Sequence, residues 1–132
     1  MTRLLVLAFA GIVLLLAAAA AAAAKDGVVA KVERPIARDA EPGARVTAVW
    51  RLTSVERGKA RRFSAEGVFM RLFGRDGSRS VRVYATQLEP GRYRATARVP
   101  RGGVHRVVIG LMGWNDRGPA PVTFPVIGRV FR

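Results

Sequence analysis

The 132-residue sequence contains no cysteine and only one histidine, His105. Without cysteine the chain has no disulfide, no thiol nucleophile and no thiolate metal ligand. No serine lies on a strand-to-helix elbow and no two carboxylates have a recognisable spacing, so nucleophilic or acid–base catalysis lacks a positioned base. We therefore expect a protein that is not an enzyme and that is held together by its core, since half of its residues are hydrophobic.

Acidic residues are also scarce. The chain has 9 Asp and Glu against 23 Lys and Arg, a formal net charge of +14. Arg3 is the one charged residue before Lys25, so almost all of this excess lies beyond residue 24. A surface of this kind attracts polyanions and acidic membranes.

The N-terminus has no charge between Leu4 and Ala24, where an apolar half is followed by an alanine tract. A basic start, an apolar run and small residues suited to cleavage are typical of a secretory signal peptide. We predict that residues 1–24 form a hydrophobic signal helix and that the protein is exported to the periplasm, cell wall or medium. The alternative is an uncleaved anchor that contacts the membrane through residues 4–24, because the run exceeds about 18 residues. An exported chain seldom meets nucleic acid, so the expected anionic partner is a lipid or a wall polymer.

Residues 25–132 are predicted to form one all-β domain. Alternation of apolar and polar residues between turn signals is typical of half-buried strands. Seven strands are expected, at 28–34, 45–54, 67–73, 80–86, 92–99, 107–111 and 122–131. The basic segment 55–63 and the polar segment 115–121 are expected to be loops. The predicted architecture is an antiparallel β-sandwich, and we expect a monomer.

The stretch 88–114 is expected to be its centre. Pro90-Gly91 favours a type II turn, and Gly102-Gly103 favours a hairpin turn between the two strands that follow. Leu88, Pro90-Gly91 and Tyr93 resemble the tyrosine corner of immunoglobulin-like sandwiches, in which a tyrosine hydroxyl bonds to the upstream backbone. Ala95 then occupies the position of the second cysteine. These features refine the predicted fold to an immunoglobulin-like sandwich.

Arginines on the wet face of the strand after Gly91 are the candidate binding residues. Arg92, Arg94 and Arg98 line that face by alternation. Arg82 and Arg106 extend the stripe if their strands are its neighbours, and Trp114 is a candidate contact residue if it is exposed. The alternatives are an ordinary solvated face for the arginines and a core position for Trp114.

A copper site is the alternative chemistry, because copper(I) favours imidazole and thioether ligands. The candidates are His105 and Met112, whereas Met70 lies in an apolar run that favours the core. His105 and Met112 are seven residues apart, which puts them on opposite faces of a regular strand unless a bulge forms at Gly110. Otherwise no cofactor is expected.

Several short motifs carry a family resemblance: Gly67-Val68-Phe69, Pro90-Gly91-x-Tyr93-x-Ala95, Pro100-x-Gly102-Gly103, Ile109-Gly110 and Gly113-Trp114. On these motifs the chain resembles the small exported immunoglobulin-like proteins of the YtkA-like family, which is similar to FixH-like and copper-resistance domains. The resemblance implies an immunoglobulin-like fold and, for some members, copper handling. Copper-resistance domains use a histidine at the mature N-terminus, where this chain has Lys25-Asp26.

The function expected from the sequence is therefore that of a non-enzymatic, exported binding module of the bacterial cell envelope. Its cationic surface is expected to meet an anionic partner. The alternative is an extracytoplasmic copper-binding protein of the YtkA-like type.

Overall fold

The structure, a computed structural model, describes residues 27–76 and 79–132, so the predicted signal segment lies outside the described residues. The described residues form ten β-strands. Among these residues there is no helix long and apolar enough to span a membrane. The strands are β1 Val28–Arg34, β2 Arg45–Glu56, β3 Lys59–Arg62, β4 Val68–Phe73, β5 Ser80–Tyr84, β6 Thr86–Glu89, β7 Arg92–Arg98, β8 Arg106–Asn115, β9 Gly118–Thr123 and β10 Val126–Ile127.

The strands form two sheets, as expected for a β-sandwich. In sheet one the order is β10-β1-β2-β7-β6, with β3 added beside the end of β2. In sheet two the order is β5-β4-β8-β9. The single closing strand predicted over 122–131 is wrong, because Val122 and Thr123 end β9 in sheet two whereas Val126–Ile127 form β10 at the edge of sheet one, parallel to β1. Pro125 and Gly128 flank this short edge strand, where both are tolerated.

A single core cluster lies between the sheets. Alternation along β2 and β4 turns Trp50, Leu52, Met70 and Leu72 inward, and all four are completely buried. The Trp50 ring stacks on that of Tyr93 with the ring centroids 6.3 Å apart. Met70 is therefore a core residue, as the sequence predicts, and so is Trp50.

Two segments predicted to be loops are hairpins. Residues 55–63 continue β2 and return as β3, through a two-residue turn in which Arg57 and Gly58 both have positive φ, at 50° and 75°. That geometry matches the right-handed twist of the strands. Residues 115–121 hold the turn between β8 and β9, in which the Asn115 side chain accepts a bond from the Arg117 amide at 2.9 Å. Neither turn carries the Asn-Gly or Asp-Gly pair by which hairpins are recognised in a sequence.

The predicted hairpin over 88–114 is wrong. β7 pairs with β2 and β6 in sheet one, whereas β8 pairs with β4 and β9 in sheet two. The segment between them therefore crosses from one sheet to the other. The turn at Pro90-Gly91 does form, with Gly91 at φ 79°, but it joins β6 to β7.

Tyr93 also differs from the expected tyrosine corner. Its hydroxyl accepts a bond from the Ala65 amide at 2.9 Å and lies 3.2 Å from the Ala65 carbonyl, 28 residues upstream. Leu88, the first residue of the expected corner, is 39% exposed. Tyr93 therefore ties β7 to the connection before β4 and does not close a local loop.

Candidate functional site

Alternation places the candidate arginines on the outer faces of the sandwich, but the topology divides them between the two sheets. Arg92, Arg94 and Arg98 lie on β7 in sheet one, whereas Arg82 and Arg106 lie on β5 and β8 in sheet two. The strands of Arg82 and Arg106 are therefore not neighbours of β7, and these two residues do not extend the stripe of Arg92, Arg94 and Arg98. Trp114 is on β8 and is 76% exposed, which excludes the core position.

The outer face of sheet one carries an ion-pair network, and we call it the ion-paired face. Arg51 and Arg92 lie directly opposite each other on β2 and β7, an arrangement of like charges that is unfavourable by itself. The Glu33 carboxylate of β1 forms ion pairs with both guanidinium groups, and its distance to Arg92 is 3.2 Å. The Glu89 carboxylate of β6 forms a further ion pair with Arg51 at 3.1 Å. Two carboxylates thus compensate two guanidinium groups. Arg94 and Arg98 lie further along β7 on the same face, and Arg98 donates to the Gly43 carbonyl at 3.3 Å.

The outer face of sheet two is built differently. The four strands of this sheet contain no Asp or Glu and three arginines. The register turns these arginines outward together with four aromatic side chains and one methionine. We call this surface the arginine–aromatic face; it consists of Phe69, Arg71, Phe73, Arg82, Tyr84, Arg106, Met112 and Trp114.

Each arginine of this face lies against an aromatic ring. The guanidinium groups of Arg106 and Arg71 both lie over the Phe73 ring, at 4.3 and 5.0 Å from its centroid. The Arg82 guanidinium is 5.8 Å from the rings of both Phe69 and Tyr84. Such cation–π contacts hold a guanidinium group over a ring and leave its N–H donors along the edge available.

No salt bridge among residues 27–76 and 79–132 joins Arg71, Arg82 or Arg106 to a carboxylate. Arg71 and Arg82 are directly opposite each other on β4 and β5, like the arginine pair of the other face, but neither forms a salt bridge with a described residue. Arg71 donates to the Ser80 hydroxyl at 2.8 Å, and Arg82 lies 3.3 Å from the Met112 sulfur. The face therefore concentrates positive charge on strands that themselves contain no carboxylate.

The surface around these arginines is shaped as well as charged. A shallow depression of about 300 Å³ lies over the middle of the sheet and includes Arg71, Arg106 and Pro121 in its lining. Phe69 is only 2% exposed, and its ring packs against Gly110 of β8. A Cβ atom at Gly110 would lie 2.4 Å from the Val122 carbonyl oxygen and 2.8 Å from the Phe69 ring, so a glycine is needed at this position.

Arg71, Phe73 and Tyr84 are members of this face that the sequence did not suggest. The signal was the alternation of Phe69, Arg71 and Phe73 within 67–73. The apolar composition of 67–73 predicts burial on both faces or a position at a crowded sheet centre, and β4 does lie between two neighbours with Val68, Phe69, Met70 and Leu72 buried. Because most residues of the strand are apolar, the outward position of Arg71 was not recognised in the sequence.

The candidate copper ligands are not brought together. His105 immediately precedes β8 and is exposed, and its amide donates to the Phe73 carbonyl at 2.7 Å. Met112 is near the far end of β8, about 23 Å further along at the rise of a strand. The pairing of β8 with β4 and β9 has no register shift at Gly110, so the bulge is absent. Within the part of the chain that the structure describes, no three His, Asp or Glu side chains form a group suited to a metal ion.

No family model, curated protein or solved structure matches this chain.

Proposed function

We propose that this protein is a non-enzymatic binding module of the bacterial cell envelope, exported from the cytoplasm, that attaches to an anionic partner through the arginine–aromatic face. The observation that carries the proposal is the Arg71–Arg82 pair. Two guanidinium groups lie side by side on a sheet in whose strands there is no carboxylate. An anion bound there would relieve their repulsion, as Glu33 does for the corresponding pair of the ion-paired face.

The chemistry of the face suits phosphate or carboxylate oxygens. A guanidinium group presents its donors in a planar fork that matches these anions, often through two bonds at once. Stacking on Phe73, Phe69 and Tyr84 restrains the three arginines, so less conformational freedom is lost when an anion binds. The net charge of +14 adds a long-range attraction that accelerates the encounter.

Exposed aromatic side chains complete the proposed surface. Trp114 and Tyr84, 76% and 60% exposed, lie on the same side of sheet two as the arginines. Tryptophan, tyrosine and arginine contribute much of the binding energy at many protein interfaces. The proposed partner therefore carries anionic groups next to apolar or planar ones, as a phospholipid surface or a phosphate-bearing wall polymer does.

The binding test compares two triple substitutions that remove the same charge. The full chain is titrated with phosphatidylglycerol vesicles in one arm and with polyphosphate in the other. We expect R71Q/R82Q/R106Q to lose at least about tenfold in affinity and R92Q/R94Q/R98Q to lose much less. Because residues 1–24 are present in every variant, any affinity of that segment for lipid is common to all.

Binding to the polymer but not to vesicles would assign the partner to a wall polymer, and tight binding to vesicles would assign it to the membrane. Equal losses in the two triple variants would contradict the proposal, since net charge alone would then govern binding. The slope of affinity against salt concentration should also fall more for the sheet-two variant.

We also infer an immunoglobulin-like topology. An immunoglobulin domain packs strands A-B-E-D against a sheet containing C-F-G, and C′ is added beside C in the variable type. The orders β1-β2-β7-β6 and β5-β4-β8-β9, taken in chain order, correspond to A-B-E-D and C′-C-F-G. In this assignment β7 is strand E, whereas the tyrosine corner belongs to strand F, which is consistent with the long-range contact of Tyr93. Membership of the YtkA-like family stays a prediction.

A further inference from the structure

Strand β6 covers only the first half of β7. Its pairing reaches Arg92, Tyr93 and Arg94, whereas β7 continues to Arg98. The reason is that the chain changes sheets at Ala85, whose amide donates to the Val68 carbonyl of sheet two at 2.8 Å. The preceding strand, β5, therefore belongs to the other sheet, and residues 95–98 of β7 form what we call the open edge.

The backbone of the open edge has hydrogen-bonding groups directed outward. The Val99 amide donates to the Ala44 carbonyl at 2.8 Å. The backbone N–H and C=O groups of Val99 and of the alternate residues before it are therefore directed towards β2. Thr96 and Arg98, in the intervening positions, direct their N–H and C=O groups away from β2. No described strand pairs with these two residues on that side. Such an edge is a template for another extended chain.

A groove runs beside the open edge. It has a volume of about 450 Å³ and is lined by Val81 and Val83 of β5 and by Arg45, Thr96, Ala97 and Arg98. The two valines are on the inward face of β5 but only half-buried, because no strand closes this side of the sandwich. The groove thus combines an apolar wall with an arginine rim, in which Arg45 and Arg98 are directly opposite each other.

We propose that the open edge binds an extended peptide segment with alternating apolar and acidic residues, which adds to sheet one as a strand beside β7. Its backbone would bond to Thr96 and Arg98, its apolar side chains would contact Val81 and Val83, and its acidic side chains would lie beside the arginines. Addition of a strand to a free sheet edge is a general mode of peptide recognition. A second copy of this chain is disfavoured, because pairing two open edges would bring Arg94 and Arg98 of both copies together.

The edge of sheet two at β9 shows the opposite arrangement. The Phe124 amide donates to the Ile109 carbonyl at 2.9 Å, so Pro119 and Pro121 occupy positions directed away from β8. Proline has no N–H to donate, and these two residues therefore block the addition of a strand at that edge. The open edge of β7 contains no proline.

The test uses a synthetic peptide of alternating glutamate and valine, titrated into the full chain by calorimetry. We expect saturable binding and a loss of at least about tenfold when lysine replaces glutamate. In one further peptide all glutamates are N-methylated, and in another all valines are N-methylated. Only one of these two should lose binding, since only one set of amides can pair with β7.

Two variants locate the contact. T96P removes the outward N–H and should abolish binding, whereas T96V removes only the hydroxyl that lies 2.8 Å from the Thr47 hydroxyl and should retain it. R71Q/R82Q/R106Q should bind the peptide as the wild type does, which separates this proposal from the anion-binding function. Absence of binding, equal binding of both N-methylated peptides and the parent, or unchanged binding by a folded T96P would each overturn the proposal.

Discussion

The two outer faces of the sandwich solve the same electrostatic problem in different ways. Each has a pair of arginines directly opposite each other on neighbouring strands, Arg51 with Arg92 and Arg71 with Arg82. On the ion-paired face, Glu33 bridges the pair from β1. On the arginine–aromatic face, rings lie against the guanidinium groups and the strands of the sheet contain no carboxylate. A high count of arginines is therefore not by itself a binding surface, because what matters is whether the fold supplies counter-charges.

The largest expected effect follows from removing the ring that anchors the arginine–aromatic face. Phe69→Ala deletes a buried phenyl group and should lower the free energy of unfolding by about 3 kcal/mol. Tyr84→Ala, on the exposed part of the same face, should change it by about 0.5 kcal/mol or less. Urea denaturation of the full chain measures both. Similar losses for the two variants would mean that Phe69 is not a packed part of the fold.

The next largest effect is expected from a substitution that removes a carboxylate from the ion-paired face and so makes it resemble the arginine–aromatic face. Glu33→Gln removes the carboxylate shared by Arg51 and Arg92 and should destabilise the protein by about 1 kcal/mol at low salt, with a smaller loss at high salt. Glu89→Gln, which removes one contact, should cost about half as much. Glu33→Gln should also strengthen polyphosphate binding by sheet one. A loss of stability that is independent of salt would show that the network does not act electrostatically.

The smallest effect separates charge from stacking on the arginine–aromatic face. Arg82→Lys keeps the positive charge but gives up the planar contact with Phe69 and Tyr84, so stability should fall by about 0.5 kcal/mol. Binding to phosphatidylglycerol vesicles should weaken less than in Arg82→Gln. If the lysine variant equals the wild type in both measurements, the rings make no contribution to the face.

Local patterns predicted five of the ten strands closely. The first strand was predicted at its observed bounds, and β2, β4, β5 and β7 were predicted within two residues at each end. Alternation depends on neighbours along the chain and is therefore visible in one sequence. The hairpin turns at Arg57-Gly58 and Asp116-Arg117 were missed, because the flanking charged residues suggested loops and neither pair is a familiar hairpin dipeptide.

Pairing between strands was the weakest part of the prediction. Arg82 and Arg106 were grouped with Arg92, Arg94 and Arg98, although the sandwich separates them by its whole thickness. Gly102-Gly103 suggested a hairpin, but the chain there crosses between sheets. Which strands become neighbours depends on contacts between residues far apart in the chain, such as the bond of Tyr93 to Ala65.

The sequence by itself determined the class of structure and the sign of the surface. Alternation specifies strands with one wet face, and the ratio of arginine to carboxylate makes the protein cationic wherever its strands pair. Only the tertiary structure decided which arginines are compensated. Glu33 neutralises Arg51 and Arg92 because the register of β1, β2 and β7 brings them within bonding distance, whereas sheet two assembled from strands that contain no carboxylate. Charge is a property of residues, but its compensation requires approach to within a few ångströms, which depends on the fold.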